Sequence, residues 1–374
     1  MSRILFISGL ASGPWGGSEE LWAQAARHLR ARGHDVGVQV KWWPQDAAAV
    51  SAFERDGCAV RRREPGTFAP RVVNKLTRLS GRDPEAEWCR RYAPDLVVIA
   101  QAGNTDGMAW MTMCRELGLP YTVITQCNGD PHWPRTDRVR AELAAGHEGA
   151  RECYFVSQHN LELARRQFVT DLTNATVVSN PFNVAYDTVL DWPDAGDEFR
   201  VACVGRLDPH AKGQDLLFQV LSQPEWRARA LRVQLVGTGG YAESLAHWVK
   251  RDELHNVEFA GHVSDIAGIW QRHHALVLPS RYEGSPLSIV EAMLCGRPCI
   301  VTDVGGNAEL VEHNVSGFVA PFPTRAALAN AMECAWINRH RWHDMGRSAA
   351  RRIRTLVPAD PGGALADRLS GWLH

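Results

Sequence analysis

The chain has 374 residues, room for two domains of ordinary size, and its 45% hydrophobic and 22% charged residues match a folded globular protein rather than a disordered one. Its 41 Lys and Arg balance 42 Asp and Glu at a net charge of −1, which excludes nucleic-acid binding driven by bulk charge. The 9 cysteines are odd in number and form no Cys-x-x-Cys pair, so a disulfide framework and a zinc ribbon are excluded, and reduced thiols in the cytoplasm are expected.

Residues 4–7 read as a first buried strand, too short for a signal-peptide core, and no apolar run approaches the ~20 residues of a membrane span. The loop Gly9-Leu-Ala-Ser-Gly-Pro-Trp-Gly16-Gly17 follows. Ser18 is placed to cap a helix from 19 to about 32, with Leu21, Ala25 and Leu29 on one face and Gly33 as its stop. Residues 35–40 return as a strand, a βαβ opening. Between 61 and 82 seven basic residues accompany one acidic residue. There Val72, Val73, Leu76 and Leu79 share one helical face, and Arg71, Lys75, Arg78 and Arg82 the other. Such a helix either lies on an anionic membrane surface or shows a solvated basic face on the domain.

Residues 95–100, 120–125 and 153–157 read as further buried strands, with helices after Gly107 and from 158 to about 168. The loop after 125 carries Asp130, His132 and Trp133, an indole that either stacks on a ligand ring or packs. Residues 184–198 suit a linker.

A second Rossmann-like series begins with a strand at 199–204, then Gly205-Arg206, Lys212-Gly213 and a helix from about 214. Strands at 233–236 and 257–260 lead to Gly237-Thr-Gly239 and Gly261-His262-Val263. The strand at 275–278 runs into Glu283-Gly284-Ser285-Pro286-Leu287, with Pro286 expected in the first turn of a helix. A strand at 299–302, helices at 324–338 and 340–354, and a last helix at 364–373 beyond Pro358 and Pro361 complete the chain. Ligands of open α/β sheets bind at the carboxyl ends of the strands. There Arg206 can fork onto phosphate oxygens and Lys212 can add a point charge. The positive end of the helix after Gly213 reinforces both. Glu283 and Glu291 have seven residues between them, ~12 Å if helical throughout.

The string Glu283-Gly-Ser-Pro-Leu-Ser…Glu291-Ala-Met…Gly296-x-Pro298…Thr302-Asp303-x-Gly305-Gly306…Glu309…Gly317 resembles the Glu-x7-Glu signature of family 4 glycosyltransferases. These are retaining, nucleotide-sugar-dependent enzymes of the GT-B architecture. The resemblance is strong over 200–320 and loose over the first 180 residues. It implies an α/β fold of two Rossmann-like domains facing across a cleft: an acceptor domain at 1–183, joined by a C-terminal helix (358–374) that crosses back, and a donor domain at 184–357. It implies hexosyl transfer from a nucleotide-diphosphate sugar, a UDP-sugar by family frequency, to an acceptor hydroxyl, without metal or other cofactor. The acceptor is a saccharide, a lipid or a small natural product, and the protein is cytoplasmic, with 61–82 offering peripheral contact at the inner membrane face. By the same resemblance Glu283, Arg206 and Lys212 are catalytic. Glu291 meets the ribose, and Gly284, Ser285, Pro286 and Leu287 border the sugar and distal phosphate. Gly237 and Gly239 allow close approach to the donor, Gly205 binds it, His262 and Val263 border the base, and Gly16 and Gly17 lie against the donor phosphates or the acceptor. Asp130, His132 and Trp133 are acceptor candidates. Family members often place a histidine where Gln126 and Cys127 stand, so its role passes to His132 or Asp130, or the loop binds acceptor only. The competing readings are a non-catalytic nucleotide-sugar binder and a GT-B-shaped isomerase. A dehydrogenase is disfavoured because Gly-x-Gly-x-x-Gly is absent.

Overall fold

The computed structural model describes residues 1–63, 84–194, 196 and 198–373. The chain divides into two compact units, Met1–Pro181 with Asp360–His374, and Phe182–Ala359. The crossover falls two residues before the expected 183, because Phe182 already packs with the second unit's core and Asn183 donates to Glu291.

The first unit holds β1 (Arg3–Ser8), β2 (Asp35–Lys41), β3 (Ala59–Arg63), β4 (Leu96–Gln101), β5 (Tyr121–Thr125), β6 (Cys153–Phe155) and β7 (Ala175–Val177). They form one parallel sheet in the order β3-β2-β1-β4-β5-β6-β7. Side chains alternate across a strand, so Ile4 and Phe6 enter one core with Leu21, Ala25 and Leu29, while Leu5 and Ile7 enter the other with Met111 and Phe155.

The second unit holds β8 (Phe199–Val204), β9 (Leu231–Val236), β10 (Val257–Gly261), β11 (Ala275–Leu278), β12 (Cys299–Thr302) and β13 (Gly317–Ala320). Its parallel order is β10-β9-β8-β11-β12-β13. Ala275 and Val277 face one core, Leu276 and Leu278 the other. Burial on both faces is why these strands read as continuous apolar runs. In both sheets the order reverses beside the first strand, between β1 and β4 and between β8 and β11, and at such points loops diverge and leave a crevice.

Several expectations need correction. Ser18 does not cap: Gly16 is the N-cap of helix Gly17–Ala31, and the Ser18 hydroxyl turns to Glu19 Oε1 at 3.3 Å. Pro286 is itself the N-cap of Leu287–Leu294, one position earlier than expected. Pro361 opens the last helix, Pro361–Ser370, because the first helical position needs no N–H, and Asp360 caps it by accepting from Gly363 N. That helix belongs to the first unit and packs on Gly17–Ala31, with His28 3.1 Å from Asp360 and Arg32 2.6 Å from Asp367. The sequence reading missed β3, β7, β13 and helices Ala48–Arg55 and Asp137–Glu148. The 64–82 part of the basic stretch lies outside the described residues. Among the described residues no helix is long and apolar enough to cross a membrane.

His147 is wholly buried beside Phe155 and Phe168, its Nδ1 2.8 Å from Leu143 O, and burial pushes its pKa from 6.5 down to about 4. The unfolded chain therefore takes a proton that the folded one refuses, and stability present above 6.5 is lost as pH falls toward 4. Urea denaturation should find the first unit roughly 2 kcal/mol less stable at pH 5 than at pH 7. In His147→Leu this difference should shrink by about that amount.

Candidate active site

In the second unit Gly205 and Arg206 follow β8, Lys212 ends the short helix Pro209–Lys212 in the same connection, and the loop after β11 carries Glu283. These flank the reversal of strand order. Lys212 Nζ lies 2.6 Å from Glu283 Oε1, and Ser280 Oγ donates to the same oxygen at 2.6 Å. Thr302 Oγ1 in turn donates to Ser280 O at 2.6 Å, tying in β12. Glu283 is buried, whereas the Arg206 side chain is 50% exposed and pairs with Asp208 at 3.0 Å. One carboxylate is thus held beside an ammonium, and a half-exposed guanidinium paired with Asp208 lies on the same connection.

The loops press together closely. Gly213 sits at φ +64, and a Cβ there would strike the Pro279 carbonyl oxygen. Gly237 sits at φ +140, and its Cβ would strike the Gly205 carbonyl oxygen. Only glycine tolerates both demands. Gly237 N donates to Gly261 O at 2.8 Å, which draws the His262–Val263 loop alongside. His262 is exposed and Val263 packs on the core. Gly284 O accepts from Gly306 N at 2.7 Å, so Gly284 and the half-buried Ser285 stand over the loop after β12. Pro286 has no N–H, and the helix it caps starts at Leu287.

Glu291, in the second turn of that helix and 3% exposed, is engaged elsewhere: its Oε1 accepts from Asn183 N at 3.0 Å and Asn183 Nδ2 at 2.9 Å. The structure therefore brings Lys212 and Glu283 into contact, with Arg206 on the same connection, and holds Glu291 against the first residues of its own unit. Asn183 was passed over in the sequence; its only signal was its place at the end of an Asn-Pro segment. Arg281 was also missed. It forks onto Asp215 at 2.6 and 2.7 Å and donates from its backbone to Ala211 O at 2.7 Å, binding the two loops.

In the first unit Gly16 has φ −166, an extended conformation open to any residue, and Gly17 is the first residue of the helix. Asp130–His132 is a single 3-10 turn after β5. Asp130 is exposed, Trp133 is 56% exposed, and His132 Nδ1 accepts from Gly129 N at 3.2 Å. Asn104 Nδ2 donates to His132 O at 2.9 Å and to Asn128 Oδ1 at 2.7 Å, a buried link between the loops after β4 and β5. Burial lowers the His132 pKa against the opposing charge of Asp106, and burial raises that of Asp106. Among the described residues no group of three or more His, Cys, Asp or Glu is placed to hold a metal ion.

Two parallel sheets, each with a polar mouth at its reversal, define a twin-Rossmann α/β protein whose charged chemistry lies in the second unit. Family models agree: residues 15–186 match Glycosyltransferase Family 4 and residues 198–338 match Glycosyl transferases group 1. The chain belongs to this glycosyltransferase family. It is similar to the GDP-mannose-dependent alpha-(1-6)-phosphatidylinositol monomannoside mannosyltransferase of Mycobacterium tuberculosis, 26% identical over 404 residues and 99% of each chain. Anabaena Alr3699/HepE, solved with UDP and glucose, superposes with TM-score 0.76 at 21% identity, over 99% of this chain and 100% of that one. Sucrose-phosphate synthase from Thermosynechococcus elongatus gives TM-score 0.76 at 21% identity, over 100% and 99%. The fold is therefore the GT-B one expected from the signature.

Gly237→Ala should leave the circular dichroism spectrum unchanged yet abolish transfer, since the loop must move off the Gly205 carbonyl. Lys212→Met should lower kcat/KM for transfer by about 10²-fold, the usual effect of losing one stabiliser of developing charge.

Proposed function

We propose that this protein transfers a sugar from a nucleoside diphosphate sugar to an acceptor hydroxyl, with retention of anomeric configuration and without a metal ion. The observation that carries the proposal is the Lys212–Glu283 contact at the reversal of the second sheet, with the half-exposed Arg206, paired with Asp208, on the same connection. In the reaction the bond between the sugar's anomeric carbon and the diphosphate oxygen breaks. The acceptor oxygen bonds to that carbon, and its proton passes to the departing diphosphate or to water. Negative charge builds on the leaving diphosphate, where Arg206 and Lys212 stabilise it. Amides at the start of Leu287–Leu294 favour the same charge. Glu291 accepts from the ribose hydroxyls, His262 and Val263 border the base, and Glu283 sits beside the sugar.

Gly205 and Gly237 let the backbone approach the donor. The first unit takes the acceptor, with Gly16, Gly17, Asp130, His132 and Trp133 on its loops. The donor base is the finer question. The relative matched along its whole length is named as GDP-mannose-dependent, whereas HepE was solved with UDP, so GDP-mannose joins the UDP-sugars as a first donor to test.

Incubation with labelled GDP-mannose and UDP-sugars should release free sugar and nucleoside diphosphate slowly without acceptor, and equally in EDTA. Donor binding with no release across donors and acceptors would favour a non-catalytic binder. Conversion of donor to an isomeric nucleotide sugar would favour an isomerase. Asn183→Ala removes the side-chain hydrogen bond from Asn183 to Glu291, so donor KM should rise by about tenfold with kcat less affected.

A further inference from the structure

β3 ends in three arginines that the fold treats differently. Arg61 pairs with Glu85 at 3.1 Å, and Arg62 pairs with Asp46 and Glu54 at 2.7 Å each. Arg63 has no carboxylate within ion-pair distance among the described residues. Its Nη2 donates to Ser8 O at 2.6 Å, its Nη1 to Gln39 O at 3.3 Å, and its guanidinium lies 4.9 Å from the Trp110 ring centre. Lys41, its register partner on β2, likewise has no carboxylate within ion-pair distance among the described residues. Its Nζ donates to Ala11 O at 3.2 Å and lies 4.6 Å from the Trp43 ring centre.

Two like charges on directly opposed strand positions repel each other. A half-buried cation satisfied only by carbonyls is an expensive feature unless an anion completes it. Glu85 and Glu19 reach Arg63 only as longer-range charges, and Glu19 is itself held toward its neutral form by burial. Both cations stand at carboxyl ends of strands, and Arg63 extends to the end of β1, beside the reversal of the first sheet. Trp42, 40% exposed, follows Lys41 directly and donates its backbone N–H to Arg63 O at 2.8 Å, so an exposed indole belongs to this strand end. A sugar ring stacks on such a face while an attached oxyanion meets the cations.

We propose that Lys41 and Arg63 bind an oxyanion of the acceptor, with Trp42 against its ring, so that the preferred acceptor is an anionic saccharide. The proposal rests on the transferase reading above, with the first unit taking the acceptor. The shared chemistry is a phosphate or carboxylate on a sugar.

The test compares acceptor KM in the wild-type protein for neutral p-nitrophenyl glycosides, their 6-phosphates and the matching uronides. The phosphate or the uronide arm should show KM at least about tenfold below the neutral glycoside, and the two arms tell the anions apart. Lys41→Gln should bring that ratio within about twofold, and Lys41→Arg should restore it. Equal KM for neutral and anionic acceptors, or a ratio unchanged in Lys41→Gln, overturns the proposal while leaving donor turnover intact. Absence of donor hydrolysis would instead sink the transferase reading. Tryptophan-fluorescence titration with mannose, mannose 6-phosphate and inorganic phosphate then still decides this one: stronger binding of the sugar phosphate than of either part supports it, and equal binding of mannose and its phosphate overturns it.

Discussion

The ion pair between Lys212 and Glu283 joins the two loops that flank the reversal of strand order in the second sheet. A largely buried pair of this kind adds little net stability, because desolvation offsets the attraction, but losing one partner strands a charge. Its value is positional. Arg281, forked onto Asp215, and Gly213, folded under the Pro279 carbonyl, hold the same two loops from the other side. The charged groups are therefore placed before any ligand arrives, and a preorganised charge does not have to be oriented during the reaction.

Legibility in the sequence followed burial. The inner strands were visible because both faces of each are apolar: β11 was read at its observed bounds from Ala275 to Leu278, and β8 likewise. Of the four edge strands β10 was read, and β3, β7 and β13 were not. β3 carries three arginines, of which Arg61 and Arg62 are neutralised by Glu85, Asp46 and Glu54, partners no local pattern reveals. β13 begins with a glycine and spans only four residues. Errors at helix starts came from caps, where Gly16 and Pro286 hold positions assigned to their neighbours.

The same logic divides the site. Lys212, Glu283 and Arg206 were legible because their chemistry and the ends of apolar strands coincide in sequence. Asn183 was not, since its importance lies in reaching Glu291 from more than a hundred residues away. In the first unit the mouth is organised by neutral amides, with Asn104 linking Asn128 and the His132 carbonyl. Amide networks of this sort leave no spacing signature, although fully satisfied ones fix loop geometry firmly.

The helix Pro361–Ser370 closes the first unit by covering Gly17–Ala31, with Gly362 so near Gln24 that a methyl group would collide. On a ribosome, the N-terminal sheet thus emerges early yet keeps an uncovered apolar flank throughout translation of the second unit. Domains made first ordinarily finish folding first. Here the order of completion is inverted: the later-made unit has all its parts sooner, and the earlier one waits for the last stretch of chain to arrive.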